Sequence, residues 1–413
     1  MKIAIIGAGA SGLMAAYSAL LSGADVTIYE HGDSAGKKLL MTGNGKCNIT
    51  NTEIKLYDYH SSSDISDLMH SVLTAVSPND LIRIFGQIGI PVRCFDSLVY
   101  PYTEQARTVR DILLSEIQRL GGKLIYNCDI YRLLRCEKDK FRIESIVYDR
   151  MILCCGGKSY KQTGSDGSGH EIAKKLGHSC SELMPSLVKL HADFSQMVSY
   201  ESNHYTLRPF DTIKGIRLRA GVSIVEGTIK SPKEEKGQVQ LTEDGISGIC
   251  VFQLSGRIGE LLKQKTASVS LNLFPDLKDD TLYELIMQSA TRRCSDTVIA
   301  LDLSGLVSTE LAAYILELFN QNRQSEGLND SVHALISFMR DLRIPIRSTD
   351  KLEHAQVTRG GISVSEIAST FESKLQKNLY LCGEMLDIDG PCGGYNLHFA
   401  FASGYIAGEN ASK

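Results

Sequence analysis

Three glycines near the amino terminus have a type and spacing that suit the binding of a phosphate group. Gly7, Gly9 and Gly12 follow a short apolar run, Lys2 to Ile6, and precede a run of small residues with helical spacing. The first glycine permits a tight turn, the second lets the backbone approach a pyrophosphate, and the third lets the helix pack on the strand. The helix N terminus adds unpaired N–H groups and a partial positive charge. The pattern predicts a dinucleotide-binding turn.

An acidic residue follows this turn at a distance that suits ribose binding. Glu30 lies 18 residues after Gly12, at the end of a second predicted strand, Ala24 to Tyr29. Its carboxylate can accept hydrogen bonds from both hydroxyls of a ribose. Strand, turn, helix, strand and acid together predict the first half of a Rossmann fold. NAD and FAD both bind this fold, so the motif alone leaves the dinucleotide open.

The next segment, GKKLLMTGNGKCNITN, favours a flavin dinucleotide. Lys37 and Lys38 could face the phosphates, and the backbone amides of Thr42 to Gly45 could reach a ring system. In a nicotinamide dehydrogenase the chain usually continues after the acid into the Rossmann helix without such a loop. The alternative is an ordinary surface loop.

A second glycine-rich turn stands near the carboxyl terminus. Gly393 and Gly394 follow a short buried strand, Asn378 to Leu381, and precede a predicted helix from Asn396 to Gly408. Placed at the pyrimidine end of a flavin, the N terminus of this helix would favour the negative charge of the reduced ring. Simple capping of the helix by two glycines is the alternative.

Five segments carry a resemblance to a known family. They are GAGASG, GKKLLMTGNGKCNITN, CCGGKSYKQTGSDGSGHEIAKKLGHS, VTRGGISVSEI and CGEMLDIDGPCGGYNLHFAFASG. In this order they resemble bacterial FAD flavoproteins called NAD(P)/FAD-dependent oxidoreductases, some of which are assigned as aminoacetone oxidases or as reductases of oxidised bile acids. The chain departs from that family in two places. Lys46 stands where arginine is more common, and Cys154-Cys155 where Ala-Thr is more common.

The resemblance implies a set of residues that hold the FAD. Ala10 and Ser11 would contact the pyrophosphate, the backbone near Ile130 would contact adenine, and Gly394 to Leu397 would contact the flavin pyrimidine. Together with the glycine fingerprint, the expected set is Gly7, Gly9, Ala10, Ser11, Gly12, Glu30, Lys37, Lys38, Thr42, Gly43, Asn44, Gly45, Cys47, Asn48, Ile130, Gly156, Gly383, Asp389, Gly390, Gly394, Tyr395, Asn396 and Leu397.

The order of elements predicts an α/β chain in which one domain interrupts another. The resemblance implies that the interrupted domain is a split Rossmann-like FAD-binding domain, over residues 1–187 and 350–413, and that the insert is barrel-like. The insert would comprise a β-barrel-like domain at 188–258, a helical subdomain at 259–339 and a return strand at 340–349. We expect the insert to cover the flavin and the loop TEDGISG, Thr242 to Gly248, to gate a cleft through Gly245 and Gly248. The alternative for that loop is a simple β-turn.

Composition excludes several classes of protein. The chain has 413 residues and a formal charge of −4, which gives no general attraction to nucleic acid or to an anionic membrane. It has no apolar run of transmembrane length, and its first residues do not suit a signal peptide. Its 11 cysteines contain no C-x-x-C pair, so we expect neither a metal site nor a redox dithiol. These features favour a cytoplasmic enzyme acting on a small molecule.

The predicted activity is hydride transfer through flavin N5 between NAD(P)H and a small acceptor with a conjugated C=C or C=O bond. No second strand–GxGxxG–helix pattern occurs, so the nicotinamide would bind only transiently, and no catalytic side chain is assigned. Two alternatives stay open: an oxidase that passes electrons from a small amine to oxygen, and a non-enzymatic flavoprotein whose insert binds a partner.

Two further side chains have open roles. Cys47 lies beside the expected flavin and could be a redox thiol. His398, in the first turn of the last predicted helix, could donate a hydrogen bond to the flavin or the substrate; packing within the helix is the alternative.

Overall fold

The computed structural model describes residues 1–130, 134–137, 139–192, 212–292, 303–321 and 328–413. They form two compact units, Met1–Met184 with Leu352–Lys413, and Pro185–Lys351. The sequence predicts the corresponding boundaries after residues 187 and 349. Residues 193–211 of the predicted β-barrel-like domain, and residues 293–302 and 322–327 of the predicted helical subdomain, lie outside the described ranges.

The first unit is built on a five-stranded parallel sheet. Two strands, β1 (Lys2–Ile6) and β2 (Asp25–Tyr29), lie side by side, and the spatial order of the sheet is Leu379–Leu381, Arg150–Leu153, β1, β2, Lys123–Ile125. All four pairings are parallel. The carboxyl ends of the five strands therefore meet at one edge, where a doubly wound sheet binds its ligand.

Two helices cover the middle of this sheet. Helix α1 (Ala10–Leu21) is buried from Ser11 to Leu20, which its run of small residues permits. The C-terminal helix (Tyr395–Ala411) packs against α1 through Gly404 and Gly408. A Cβ atom at either glycine would overlap a carbonyl oxygen of α1. The two helix backbones therefore touch only because these positions are glycine.

The other elements of the first unit are short. Its helices are Lys37–Met41, Ser66–Ala75, Pro78–Ile88, Ala106–Arg119 and Ser168–Lys175. Two antiparallel sheets comprise the strands Thr50–Asn51, Leu98–Pro101 and Val92–Phe95, and the strands Leu134–Glu137, Lys140–Ile143 and Ile146–Tyr148. Strand Val357–Arg359 belongs to this unit, and strand Met184–Ser186 spans the unit boundary.

The second unit contains a closed barrel, which confirms the barrel-like insert. Six antiparallel strands pair in the order Arg217–Glu226, Glu235–Thr242, Gly245–Ser247, Leu190–Ala192, Leu342–Thr349 and Ala267–Asn272, and the last pairs with the first. Strand Ile229–Lys230 extends one hairpin. Closure leaves no unpaired edge in this ring.

The helices of the second unit differ from the expected separation into a β part and a helical part. They are Ile249–Leu262, Asp279–Arg292, Thr309–Gln321 and Leu328–Arg340. The first begins within the predicted β segment, and the barrel strand Ala267–Asn272 lies within the predicted helical segment. Barrel and helices share one hydrophobic core.

The glycines of the segment Thr242 to Gly248 are packing residues within this unit. Gly245 opens a strand, and a Cβ atom there would overlap the carbonyl oxygen of Leu190. At Gly248 it would overlap the carbonyl oxygen of Gln238. This geometry fits the β-turn alternative for the segment, and the gating role stays a prediction.

None of the helices in the described part of the chain combines the length and the apolar character needed to cross a membrane.

Candidate functional site: a cavity at the carboxyl edge of the parallel sheet

A cavity of about 510 Å³ lies within the first unit at the carboxyl ends of its parallel strands. Its volume is in the range of cofactor and small-molecule sites. The wall is formed by the turn after β1, the end of β2, the segment Cys154 to Gly156 and the first turns of the C-terminal helix. The glycine fingerprint and the carboxyl-terminal turn, which are distant in sequence, therefore meet at one site.

Gly9 lines this cavity and has no conformational need to be glycine. Its φ of −80° and ψ of −170° suit any L-amino acid, and a Cβ atom there would meet no heavy atom within 4 Å. The protein itself therefore tolerates a side chain at this position. A glycine is needed only if a ligand approaches the backbone, as a dinucleotide pyrophosphate does.

The other two glycines of the fingerprint are needed by the protein. Gly7 has a φ of +100°, which favours glycine, and a Cβ atom there would overlap the backbone of Cys154. A Cβ atom at Gly12 would overlap the carbonyl oxygen of Gly7, so the helix could not approach the strand. The turn and packing roles expected for these residues agree with this geometry.

The N terminus of α1 points its first residues at the cavity. Ala10 and Ser11 line the wall, and no side chain caps the helix. The first N–H groups of a helix have no partner within the helix, and its dipole is positive at this end. The geometry suits an anion, and we expect the FAD pyrophosphate here.

Glu30 is oriented by the backbone on both sides. One carboxylate oxygen accepts from the amide of Ala8 at 2.8 Å, and the other accepts from the amide of Gly32 at 2.7 Å. Each oxygen retains lone pairs for further hydrogen bonds. Because Glu30 also lines the cavity, it is positioned for the ribose contact that its spacing predicts.

Both lysines expected to face the phosphates have carboxylate partners within the protein. Both line the cavity, but the Lys37 ammonium pairs with Asp33 at 2.7 Å. The Lys38 ammonium donates to both carboxylate oxygens of Glu384, at 2.8 and 2.6 Å, and to the hydroxyl of Ser159 at 2.7 Å. The sequence missed this pairing because Glu384 lies 346 residues away.

Glu384 is the centre of a polar cluster in the cavity wall. It accepts hydrogen bonds from the Thr358 amide at 2.9 Å and from the Ser159 hydroxyl at 3.0 Å. Burial alone raises the pKa of this carboxyl, but the charge and hydrogen bonds of Lys38 and the other donors outweigh it, so the pKa lies below its ordinary value. Lys38 and Glu384 therefore form an ion pair.

Some of the remaining predicted residues line the cavity, and the others lie outside its lining. Ile130, Gly156, Thr42, Asn396 and Leu397 line the cavity. The side chain of Asn396 accepts from the amide of Gly390 and donates to its carbonyl, which shapes the turn before the C-terminal helix. Outside the lining are Gly12, Gly43, Asn44, Gly45, Cys47, Asn48, Gly383, Asp389, Gly390, Gly394 and Tyr395.

Several of the residues outside the lining have identifiable structural partners. The Asp389 carboxylate is paired with Arg359 at 3.1 Å and lies 3.3 Å from His60, so it is committed within the protein. The Asn48 side chain accepts from the amide of Val99. Gly394 caps the C-terminal helix with a φ of +96°, and a Cβ atom there would lie against the backbone of Thr50.

Cys47 and His398 are both buried away from this wall. Burial raises the pKa of the Cys47 thiol to about 12, which keeps it protonated and gives no support to a redox role. One ring nitrogen of His398, Nδ1, is hydrogen-bonded to the Thr50 hydroxyl at 2.8 Å. Burial lowers the pKa of His398 to about 4, so the ring is neutral at pH 7. The packing alternative therefore fits His398.

One part of the wall was not assigned from the sequence. Thr163 to Asp166 and the start of the helix Ser168–Lys175 line the cavity. The Asp166 carboxylate accepts a hydrogen bond from the amide of Ser168, the first residue of that helix. The segment TGSDGSG, with its glycines and small polar residues before a helix, carries the signal that would have identified this wall.

Comparison with known proteins agrees with this architecture. The family model for the HI0933-like protein Rossmann domain matches residues 1–410. The chain is 33% identical to the 3-dehydro-bile acid delta(4,6)-reductase of Clostridium scindens, over 100% of this chain and 99% of that protein. It is 27% identical to the ribosomal RNA dihydrouridine synthase of Haemophilus influenzae, over 99% and 98% of the two chains.

A solved structure shares the fold at low sequence identity. The 3-ketosteroid delta1-dehydrogenase from Sterolibacterium denitrificans, solved with 1,4-androstadiene-3,17-dione, aligns with a TM-score of 0.50 at 10% identity, over 99% of both chains. The resemblance read from the five motifs is confirmed by the family match. The chain belongs to the HI0933-like family of Rossmann-domain proteins and is an FAD-dependent oxidoreductase.

Proposed function

We propose that this enzyme reduces a carbon–carbon double bond conjugated with a carbonyl group, and that NAD(P)H supplies the hydride through the flavin. The observation that carries the cofactor part is Gly9, which faces an open cavity although its conformation suits any residue. The FAD, when bound, supplies the hydride chemistry at N5 of its ring.

The choice of acceptor is supported by what two relatives have in common. A 3-dehydro-bile acid with delta(4,6) unsaturation has double bonds conjugated with the ketone at C3. Uridine, from which a dihydrouridine synthase makes its product, has a C5–C6 double bond conjugated with the carbonyl at C4. In both reactions hydride adds to the carbon remote from the carbonyl, because the carbonyl oxygen accepts the resulting negative charge. A proton then completes the addition.

The residues of this chain would bind and orient the cofactor. The N terminus of α1 would hold the pyrophosphate, with Gly9 giving the backbone access. Glu30, already oriented by two amides, would accept from the ribose hydroxyls. The N terminus of the C-terminal helix, at Asn396 and Leu397, would place its positive dipole end toward the flavin and favour negative charge on the reduced ring.

A nucleotide within ribosomal RNA is the second candidate acceptor, favoured by the name of the Haemophilus relative. The net charge of −4 favours a small molecule instead, since RNA binding depends strongly on neutralising phosphates. The identity of 33% to the bile-acid enzyme against 27% to the RNA enzyme points the same way.

Stopped-flow reoxidation of the flavin tests the proposal. The enzyme is reduced anaerobically with NADPH or NADH and mixed with a 3-oxo-4,6-diene steroid, with a uridine-containing ribosomal RNA transcript, or with buffer. We expect rapid reduction by one nicotinamide and rapid reoxidation by the dienone. Reoxidation by the RNA alone would favour the second candidate. Failure of both nicotinamides, with reduction by aminoacetone and reoxidation by air, would overturn the proposal in favour of an amine oxidase.

A further inference from the structure

Two cysteines that are distant in sequence are neighbours beside the cavity at the carboxyl edge of the parallel sheet. Cys154 directly follows the strand Arg150–Leu153, and Cys382 directly follows the strand Leu379–Leu381. Their sulfur atoms are 3.2 Å apart, and both residues are buried. This is one of the places where the chain departs from the more common family motif, which has Ala-Thr at positions 154 and 155.

The backbone geometry at these positions suits a disulfide. Leu153 and Leu381 are paired in parallel register, so the next residues are lateral neighbours. Adjacent strands lie about 4.8 Å apart, within the separation of about 4.4 to 6.8 Å that disulfide-bonded Cα atoms adopt. The sulfur atoms need to approach each other by only about 1 Å to reach the bond length of a disulfide.

Cys154 is the member of the pair that belongs to the cavity wall, although only 3% of it is exposed. It lines the cavity wall, together with Gly7 and Ser11. Cys382 lies behind it and is fully buried. Burial raises the pKa of the Cys154 thiol well above its ordinary value, so peroxide reacts with it slowly, and the proximity of Cys382 is what favours the cross-link once Cys154 is oxidised.

We propose that Cys154 and Cys382 are a modification site, at which a peroxide forms a reversible disulfide in the FAD-free protein and bound FAD prevents it. The sulfur of Cys154 gives an electron pair to one oxygen of hydrogen peroxide, the O–O bond breaks, water leaves and a sulfenic acid forms. The sulfur of Cys382 then attacks that sulfur, the S–S bond forms, and a second water leaves. Two thiols lose two electrons and two protons, and one peroxide becomes two waters.

The disulfide would in turn weaken FAD binding. Gly7 packs against the carbonyl group of Cys154, and Gly383, which follows Cys382, packs against the side chain of Ser11. Drawing the two strand ends together therefore shifts the turn and the first residues of α1. By thermodynamic linkage, if FAD disfavours the disulfide, the disulfide disfavours FAD by the same factor. We expect about a tenfold increase in the dissociation constant for FAD, within the usual range of such coupling.

Cys155 provides a matched control. Its side chain also lines the cavity, but its sulfur lies 3.6 Å from the carbonyl oxygen of Ile6 instead of facing a thiol. Cys155 is more exposed than Cys154, but its sulfur lies against a carbonyl oxygen, whereas the sulfur of Cys154 faces the thiol of Cys382. Cys155→Ser should leave the cross-link unchanged, and Cys154→Ser or Cys382→Ser should abolish it.

Peptide mapping of the wild-type protein tests the inference without relying on any variant. FAD-stripped protein and the same protein with saturating FAD are treated with hydrogen peroxide, alkylated and digested. We expect a Cys154–Cys382 cross-link with the mass loss of two hydrogen atoms, formed at least tenfold faster without FAD and removed by dithiothreitol. FAD affinity is then measured by flavin fluorescence before and after oxidation.

Three results would overturn the inference. One is a cross-link between other cysteines, one is oxidation of Cys154 to sulfinic acid with no cross-link, and one is an equal rate with and without FAD. Because the inference rests on the proposed position of FAD, the flavin spectrum is recorded in the same samples. A cross-link that FAD does not slow, in a sample that has bound FAD, contradicts the coupling while leaving the FAD-binding capacity of the protein intact.

Discussion

Glycines occur both at the N terminus of α1 and where its side contacts the C-terminal helix, but they are needed there for opposite reasons. At the N terminus, Gly9 has an ordinary backbone conformation, and the space into which a side chain would project is open. Along the helix contact, a Cβ atom at Gly404 or Gly408 would overlap the backbone of Ser11 or Ala15. One region leaves room for a ligand, and the other is already filled by the protein. Substitutions ranked by their effect on the folding of the FAD-free protein test this difference.

The largest effect is expected from adding side chains at the helix contact. Each of Gly404→Ala and Gly408→Ala forces the two helix backbones apart, and such overpacking costs about 1 to 3 kcal/mol per site. The double variant should therefore lose about 4 kcal/mol of unfolding free energy or fail to accumulate as folded protein, measured by urea denaturation. Gly86→Ala is the matched control. Gly86 lies in the helix Pro78–Ile88 with no heavy atom within 4 Å of its Cβ position, so alanine there should stabilise by about 0.5 to 1 kcal/mol.

Breaking the ion pair in the cavity wall should have the next largest effect. Lys38→Met removes the ammonium group that pairs with the Glu384 carboxylate, and so leaves a negative charge in the cavity wall without its cation. The two side chains are 22% and 18% exposed, so removing the cation should cost about 2 to 3 kcal/mol, less than for a fully buried pair. The double variant Lys38→Met/Glu384→Gln should recover most of this loss. An equal loss in the single and double variants would show that the charge is not what stabilises this wall.

Acid should destabilise the start of the C-terminal helix through His398. Its pKa in the folded protein is about 4, below the ordinary 6.5, so between these values the unfolded chain binds the proton that the folded chain excludes. Stability therefore falls as the pH falls from 6.5 to 4, by about 2 kcal/mol at pH 5. His398→Gln should remove this part of the loss when urea midpoints at pH 7 and pH 5 are compared. His70→Gln, at an exposed position, serves as the control. If the two variants show the same loss of stability between pH 7 and pH 5, His398 is not the group responsible.

The smallest effect on folding is expected from adding a side chain at the N terminus of α1. Gly9→Val should lower the unfolding free energy of the FAD-free protein by no more than about 1 kcal/mol, because Gly9 is the N-cap of α1 but its Cβ position is open. The same variant should bind no FAD, because the side chain occupies the space that the pyrophosphate needs. Visible absorbance and FAD release on heating measure this. A folded, yellow Gly9→Val protein would contradict the contrast between the two regions.

Much of the nucleotide-binding unit could be predicted from local sequence. β1 has the predicted bounds, β2 differs by one residue, and the C-terminal helix begins one residue before the predicted position. These elements carry strong periodicity and glycine signals at their ends. For the insert only the overall character was predicted, β-rich over 188–258 and helical over 259–339, so the helix Ile249–Leu262 and the strand Ala267–Asn272 were not identified individually.

The sequence by itself determined the family, the parallel sheet with its glycine turn, and the acidic residue that follows it. These depend on local spacing, which is readable along the chain. Only the tertiary structure decided that Lys38 pairs with Glu384, that Cys154 meets Cys382, and that Gly9 faces open space while Gly404 faces backbone. Contacts between residues hundreds of positions apart depend on how the strands and helices pack, and spacing along the chain does not encode that distance.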